Sequence, residues 1–579
     1  MAHSNKFSKR IVAVALLLAA WLSVDAFNVN GIYYDFVEKT SKKQKVLYRE
    51  VKVSYKGENP ESYKGEYIGD ITIPSTVTYN GVKYYVSEID WGAFKDCPNL
   101  TSVTIPHSIK MIGESAFSGC RGLTSIDIPN SVTEIGFFAF SGCIGLTNID
   151  IPNSVTNIGI ETFKGCTGLT IVDIPNSVTG LDYGAFAGCT SLTTVNFDAN
   201  CATYIDDGEG CYYPIFEGCV ALENLNIGKN VKNIPYDLFY DCPNLRSIVV
   251  DNMNKYYDSR NNCNAVIKTS TNTLIVGSKK MVIPASVKKI ENGAFYGRGV
   301  ESIAVEKGNR NYDSRNNCNA VIETSTSTLI VGSDNTIIPN SVQRIGDRAF
   351  RGRSRLKNIV IPIAVKEIGY DAFYGCKGLE SIIVEEGNRN YDSRNNCNAL
   401  IESSTNTLIV GCKKTKIPNT VTCIGDKAFQ GCDGLTSISI PNSVTYIGIQ
   451  AFSDCDGLTS VTIPSYVKSL EYEAFGDCKR LTTVNFNAVN CVIGYGPEPC
   501  GGPFSNCDAL KTIKIGNNVK YISPDLLYGS SLTTITIPNS VTRVGECWDS
   551  LKKIIIPRGT RHKFKRIFPE EYHSKLVEQ

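Results

Sequence analysis

A unit of 23 residues repeats along most of this chain. One copy, from Leu123 to Gly145, reads Leu-Thr-Ser-Ile-Asp-Ile-Pro-Asn-Ser-Val-Thr-Glu-Ile-Gly-Phe-Phe-Ala-Phe-Ser-Gly-Cys-Ile-Gly, and the pattern starts again at Leu146. The phenylalanine near the end of the unit marks the period; it recurs at Phe94, Phe117, Phe140, Phe163, Phe186, Phe295, Phe350, Phe373, Phe429, Phe452 and Phe475, with looser copies at Phe216, Phe239, Phe504 and Leu527. A fixed period in the twenties predicts a solenoid, in which each unit forms one coil and neighbouring coils share one core.

The first six residues of the unit predict a short strand, which we name the first run. Leu123, Ile126 and Ile128 supply apolar side chains to the core, and the polar residues between them face outward. Pro129 cannot donate a hydrogen bond to a neighbouring strand, so the first run ends there.

The rest of the unit predicts a second extended segment and a tight turn. Val132 and Ile135 form the second run, which a glycine stops. Ala139 and Phe140 then lie in a tight helical turn, named here the Phe turn, and Gly142 allows the chain to reverse. One such coil buries too little surface to be stable alone, so the fold requires the stack.

The motif Ile-Pro-Asn-Ser-Val-Thr-x-Ile-Gly-x-x-Ala-Phe-x-Gly-Cys resembles the BspA-type leucine-rich repeat of bacterial surface proteins, and the resemblance extends from roughly Gly69 to the C-terminus. It implies a β-rich leucine-rich repeat solenoid that is secreted or displayed on the surface of a bacterium. It also implies a role in adhesion to host proteins or to other microbes. The family offers no catalytic residues to transfer, so the resemblance implies neither an enzyme nor a cofactor.

The N-terminus predicts a signal peptide in residues 1–26. Lys6, Lys9 and Arg10 precede an apolar run at 11–22, and small residues precede the cleavage site. This run is too short to span a bilayer comfortably, and no later stretch is apolar enough, so we expect no transmembrane segment after cleavage. Cleavage would change the formal net charge from +2 to 0, which argues against a nucleic-acid partner.

The two ends of the solenoid are predicted to carry caps, because an open end exposes apolar core and unpaired backbone. Residues 27–68 are rich in β-branched and aromatic side chains and predict an N-terminal β cap, followed by a hairpin at Asn80-Gly81. The solenoid occupies 69–557, and 558–579 form a C-terminal cap. Its apolar residues at helical spacing predict an amphipathic helix through Phe564, Ile567, Phe568, Tyr572 and Leu576.

Three insertions interrupt the solenoid near 251–280, 306–335 and 385–414. Each contains Tyr-Asp-Ser-Arg-Asn-Asn-Cys-Asn followed by two β-type runs around a polar turn, which predicts a hairpin. We expect the hairpins to pack back over the first runs, because exposed apolar rows are uncommon and the outward position is apolar in this region. That position is held by Val249, Ala304, Val360 and Ile383.

The aspartates of the insert motif, Asp258, Asp313 and Asp392, have two open interpretations. They could bind a cation together with neighbouring asparagine oxygens, or they could cap turns without any metal. Oxygen-rich calcium sites use several carboxylates, so the pattern favours turn caps and no metal site.

The chain has 22 cysteines, and most of them recur at one position of the coil. Side chains at the same position of stacked coils run parallel instead of converging, which disfavours disulfides and predicts a ladder of buried thiols. Arg298 and Arg353 occupy this position in two coils, which argues against full burial there. The better disulfide candidates lie in two loop expansions outside the ladder, Cys201 with Cys211 and Cys491 with Cys500.

Three aspartates hold the same outward position of successive first runs, Asp127, Asp150 and Asp173, flanked by Thr104 and Asn196. Like charges stacked about 5 Å apart on a sheet repel one another. One interpretation is a solvated face on which the repulsion is screened. The other is a binding strip that receives a basic segment of a partner or a cation.

The sequence therefore predicts a binding protein and not an enzyme. Its four histidines have no ligand-like spacing, and there is no P-loop, dinucleotide fingerprint or Gly-x-Ser-x-Gly motif. The first hypothesis is an adhesin or protein–protein interaction module that contacts host or microbial surface or matrix proteins. The alternative is a glycan-binding or envelope-associated structural protein, which is weaker because the predicted sheet face is mostly Thr, Ser, Asp and Asn instead of aromatic.

Overall fold

The chain forms two compact units. One unit contains residues 1–276 and 291–294, and the other contains 277–290 and 295–579. The computed structural model describes residues 26–37, 49–56, 67–201, 214–234, 238–494, 501–545 and 550–579. The predicted signal peptide lies outside this part of the chain, except for its last residue, and stays a prediction.

The first runs of unit 1 form one parallel sheet of eight strands. Ile126 is buried between the exposed side chains of Ser125 and Asp127, as the alternation of the repeat predicts. The strands are Gly69–Thr72, Leu100–Thr104, Ser125–Asp127, Asn148–Asp150, Ile171–Ile174, Thr194–Phe197, Asn224–Ile227 and Ser247–Val250. The sequence prediction of a β-rich leucine-rich repeat solenoid is thereby confirmed for this unit.

The second runs of unit 1 form another sheet, which the N-terminal strands extend. Its parallel strands are Glu50–Ser54, Val82–Ile89, Met111–Ile112, Glu134–Ile135, Asn157–Ile158 and Gly180–Leu181, with Phe27–Val29, Ile32–Phe36 and Thr76–Tyr79 paired antiparallel to their neighbours. The predicted hairpin is present at Asn80 and Gly81, whose φ angles of 49° and 76° suit a two-residue turn of the mirror-image type.

The Phe turns stack their rings along the core of unit 1. Successive ring centroids from Phe94 to Phe239 lie 5.0–5.4 Å apart, and the rings are nearly parallel. The prediction of a helical turn was wrong. Phe138 has a φ of 57°, which interrupts any helix, and the turn is held by hydrogen bonds of the i to i+3 type, such as Cys143 N to the Phe140 carbonyl.

Unit 2 repeats the same two kinds of run. Its first runs are Lys280–Ile283, Ser302–Val305, Asn358–Ile361, Ser381–Val384, Ser460–Ile463, Thr483–Phe486, Thr512–Ile515, Thr534–Thr536 and Lys553–Ile556. Its second runs are Lys289–Ile290, Arg344–Ile345, Glu367–Ile368, Cys423–Ile424, Tyr446–Ile447, Ser469–Leu470, Val492–Ile493, Tyr521–Ile522 and Arg543–Val544.

The three insertions are coils of their own, in which a hairpin takes the place of the Phe turn. Their strands are Tyr257–Asp258, Ala265–Lys268 and Thr273–Gly277, then Tyr312–Asp313, Ala320–Glu323 and Thr328–Gly332, then Tyr391–Asp392, Leu400–Glu402 and Thr407–Val410. In the second and third insertions the last strand pairs in parallel with the second run of the next coil. The hairpins therefore extend the second-run sheet.

The expectation that the hairpins cover the apolar row of the first runs was wrong. Val249, Val360 and Ile383 remain 51%, 45% and 50% exposed. The hairpin strands join the second runs because that sheet offers free backbone partners, whereas the apolar row offers only side chains.

The prediction of a single amphipathic helix at the C-terminus was wrong. A seven-residue α-helix, Arg561–Ile567, ends before Pro569, and a 3-10 helix, Glu570–Lys575, follows. A final strand, Leu576–Glu578, pairs in parallel with the last first run. Four of the five apolar residues predicted for this segment are nevertheless buried: Phe564, Phe568, Tyr572 and Leu576. Ile567 is partly buried.

Candidate binding face

The aspartate row forms a straight strip across the first-run sheet of unit 1. Thr104 pairs in register with Asp127, Asp127 with Asp150, Asp150 with Asp173, and Asp173 with Asn196. Because every coil has the same length here, each outward side chain lies directly beside its equivalent, one strand spacing of about 4.8 Å away. The predicted strip thus exists as a geometric feature.

Among the described residues, the carboxylates of the strip accept hydrogen bonds at one end only. The side-chain amide of Asn196 donates a hydrogen bond to Asp173, and Asn226 Nδ2 donates to the side-chain oxygen Oδ1 of Asn196 at 2.7 Å. Within the described part of the chain, no hydrogen bond or ion pair engages the exposed carboxylates of Asp127 and Asp150. Two neighbouring carboxylates therefore face solvent with no cation beside them.

A groove with a volume of about 570 Å³ continues the strip at the C-terminal ends of the strands. Asp173, Asp198 and Asp251 line it together with the amide groups of Asn153 and Asn226. Sequence reasoning missed Asp198 and Asp251. The available signal was their position directly after a first run, where regular coils have the proline that ends the strand.

These two additional aspartates also organise their own loops. Asp198 accepts hydrogen bonds from the backbone and side-chain nitrogens of Asn230 at 3.0 and 2.8 Å. Asp251 accepts one from the backbone of Met253 at 2.8 Å. Each carboxylate retains lone pairs for a further donor, so the groove is an acceptor-rich, negatively charged surface.

Arginine side chains hold the aspartates of the insertions. Arg260 donates from its backbone nitrogen, Nε and Nη2 to Asp258, with distances of 3.1, 2.8 and 2.5 Å. Arg315 and Arg394 repeat this clip on Asp313 and Asp392. Burial raises the pKa of Asp392, but hydrogen bonds from Arg394 and Ser403 outweigh it and lower the pKa below its usual value. The turn-cap interpretation is supported by this geometry.

The described ladder cysteines are free thiols, all buried except the half-buried Cys376, and most of them have a defined acceptor. Cys120 donates to the Phe94 carbonyl at 3.0 Å, and Cys143 donates to the Phe117 carbonyl at 3.1 Å. The same link between adjacent coils recurs at Cys166, Cys189, Cys219, Cys242, Cys376, Cys455, Cys478 and Cys507. Burial raises the pKa of Cys166 to about 12.

The inference that the two arginines of this ladder mark an exposed position was wrong. Arg298 and Arg353 are only 1% and 2% exposed. The candidate disulfides of the two expansions stay predictions, because Cys211 and Cys500 lie outside the described residues. Their proposed partners, Cys201 and Cys491, are buried.

Ladder thiols are expected to resist alkylation in the folded protein. At pH 8 the raised pKa keeps them protonated, and burial blocks access, so iodoacetamide should leave Cys143 and Cys166 unmodified. Denaturation without reductant should make them fully reactive. Peptide mass spectrometry checks this result, and blocked thiols in denaturant would show that the ladder is oxidised.

The described residues hold no group of three or more His, Cys, Asp or Glu side chains suited to a metal ion. A search of the same residues for an apolar helix long enough to cross a membrane was also negative.

These features define a leucine-rich repeat protein with an acidic strip on the first-run sheet of unit 1. The chain belongs to the BspA type leucine rich repeat region family, which matches more than half of it, at residues 87–213, 203–272, 331–409, 401–496 and 501–574. Solenoids of this class are protein-interaction modules. A search of curated proteins gave no match.

Several solved structures of bacterial proteins are similar to this chain. A leucine-rich repeat protein from Bacteroides ovatus is 23% identical, with 92% of this chain and 99% of that chain covered and a TM-score of 0.35. A leucine rich cell surface protein from Faecalibacterium prausnitzii is 22% identical, with 94% and 98% covered and a TM-score of 0.27. The pneumococcal vaccine antigen PcpA is 16% identical, with 96% of each chain covered and a TM-score of 0.26.

Proposed function

We propose that this protein is an adhesin, secreted or displayed on a bacterial surface, whose acidic strip receives a basic segment of a partner protein. The observation that carries the proposal is the in-register pair of exposed carboxylates, Asp127 and Asp150, that no cation of the described chain neutralises. Lysine or arginine side chains laid across the strands would relieve this repulsion while they bind.

The geometry favours a chain of cationic side chains over a metal ion. Carboxylates in a single row about 4.8 Å apart present oxygens along a line, whereas calcium needs six to eight oxygens around one point. A flexible segment can match the row, because successive basic side chains reach successive coils. The groove at Asp198 and Asp251 extends the same negative surface in one direction.

Replacing Asp127, Asp150 and Asp173 together by asparagine is expected to raise stability and abolish binding. Removal of each repulsive pair should raise the free energy of unfolding by roughly 0.2–1 kcal/mol, measured by urea unfolding at low salt. Binding of an octalysine peptide and of immobilised host matrix proteins should be lost in the same variant, measured by surface plasmon resonance.

The matched control is Glu134→Gln, which removes an exposed charge of the Asp127 coil on the second run. It should leave binding unchanged when compared with Asp127→Asn alone. A triple variant that still captures the peptide and the same matrix proteins would overturn the proposal. Capture of glycans on an array, unaffected by the triple substitution, would instead support the glycan-binding alternative.

A further inference from the structure

Each insertion leaves a gap in the row of Phe turns, because its coil has a hairpin where the Phe turn would be. In the second and third insertions a hairpin glycine takes the place of the missing phenylalanine. A Cβ atom at Gly332 would overlap the ring of Phe350, and one at Gly411 would overlap the ring of Phe429. We name the spaces beside these glycines the second and third slots.

The second slot is filled by the protein's own arginine. Arg353 is 2% exposed, and its guanidinium donates from Nε to the Gly332 carbonyl at 2.7 Å and from Nη1 to the Arg298 carbonyl at 2.6 Å. A third bond joins Nη1 to the Arg351 carbonyl at 3.1 Å. Desolvation lowers the pKa of Arg353 to about 10, so the side chain remains charged at pH 7.

The third slot has the same backbone but no arginine. Gly411 N donates to the Ala428 carbonyl at 2.8 Å, as Gly332 N does to Ala349. Three residues after the phenylalanine, Cys432 stands where the second slot has Arg353. A cavity with a volume of about 260 Å³ lies here, lined by Phe373, Cys376, Gly411, Phe429, Gln430 and Cys432.

The lining of the third slot is suited to a cation that donates hydrogen bonds. The Gly411 and Cys376 carbonyls correspond by position to the two that accept from Arg353. Gln430 replaces the cationic Arg351, and its buried Oε1 has no hydrogen-bond partner among the residues that the structure describes. Two lining carboxylates, Asp371 and Asp426, outnumber the single ammonium of Lys427.

Aromatic rings complete the mouth of the slot. Tyr370 and Tyr374 line it, and both already lie against a cation, with Lys427 Nζ at 5.1 and 5.4 Å from their ring centroids. Such faces also attract a guanidinium. One difference disfavours a guanidinium in the third slot: Lys413 stands where the second slot has Asp334. The Lys413 ammonium is, however, paired with Glu380 at 2.8 Å.

We propose that the third slot binds a guanidinium group, carried on an arginine side chain of a partner protein. The second slot is the template, because the same chain places a guanidinium on the equivalent carbonyls there. A volume of about 260 Å³ admits one long side chain and lies below the 300–1,000 Å³ of whole small-molecule sites. The site lies in unit 2 and does not depend on the acidic strip of unit 1.

Agmatine, which carries a guanidinium and an ammonium on a four-carbon chain, is the probe, and 1,4-diaminobutane, in which a second ammonium replaces the guanidinium, is its counterpart. Saturation-transfer NMR on the full chain should show agmatine binding to the wild type at least tenfold more tightly than 1,4-diaminobutane. Cys432→Arg, which fills the slot as Arg353 does, should weaken agmatine binding at least tenfold. The matched control Cys143→Ala, in a regular coil of unit 1, should leave it unchanged.

A second variant and a peptide competition complete the test. Gln430→Arg restores the charge that Arg351 has in the second slot and should weaken agmatine binding even if Cys432→Arg fails to fold, which circular dichroism reports. The peptide Gly-Gly-Arg-Gly-Gly should compete with agmatine, whereas its lysine analogue should not; agmatine binding without this competition would refute the arginine side chain as the occupant. Equal binding of agmatine and 1,4-diaminobutane, or unchanged agmatine binding in the folded slot variants, overturns the proposal altogether.

Discussion

Phe140→Ala is expected to lower the free energy of unfolding by about 3–5 kcal/mol. The Phe140 side chain is fully buried, and its ring stacks on Phe117 at 5.2 Å and on Phe163 at 5.3 Å. Removal of the ring leaves a cavity that two neighbouring coils line, and their backbones are held in place by the hydrogen bonds of the parallel sheets. The site therefore collapses poorly, and the loss falls on two coil interfaces at once.

The control for this substitution lies in the same coil. Phe137 is 43% exposed, so Phe137→Ala removes an equal side chain at a cost within about 0.5 kcal/mol. Urea unfolding followed by circular dichroism measures both variants. A loss below about 1 kcal/mol for Phe140→Ala would mean that the phenylalanine row is not a main support of the stack.

The regular part of the fold could be predicted because the repeat length is constant. A strict period of 23 residues fixes which side chains become neighbours, so the register of Asp127, Asp150 and Asp173 followed from their spacing alone. The buried apolar positions followed in the same way, since their spacing decides which side of each run faces the core.

The irregular parts of the fold were not predicted correctly, and each failure has an identifiable physical reason. The left-handed residue of the Phe turn is Ser115, Phe138 or Glu161 in successive coils, none of which indicates positive φ, so the turn resembled a helix. The destination of the hairpins depends on which sheet offers free backbone groups, and sequence does not show this. The break in the C-terminal helix was readable at Pro569.

The two buried arginines of the thiol ladder, Arg298 and Arg353, stand in the coils that follow the first and second insertions. A regular coil brings a Phe turn beside each ladder position, so a cysteine is long enough to reach the carbonyl of the coil before it. In the coil that follows the second insertion, Arg353 donates instead to the carbonyls of Gly332 and Arg298.

Arg353→Ala is therefore expected to lower the free energy of unfolding by about 2–5 kcal/mol, because it leaves a cavity and removes the donor from buried carbonyls at Gly332 and Arg298. Arg353→Lys should lose less stability, because an ammonium keeps the positive charge. It should still lose some, because an ammonium lacks the planar fork that donates to two separate acceptors. The control Arg355→Ala removes an equal charge from an exposed position nearby and should change stability by no more than about 0.5 kcal/mol. Urea unfolding of the three variants tests this order. Equal losses for Arg353→Ala and Arg355→Ala would show that the buried guanidinium contributes nothing, and the second slot would then lose its value as a template for the third.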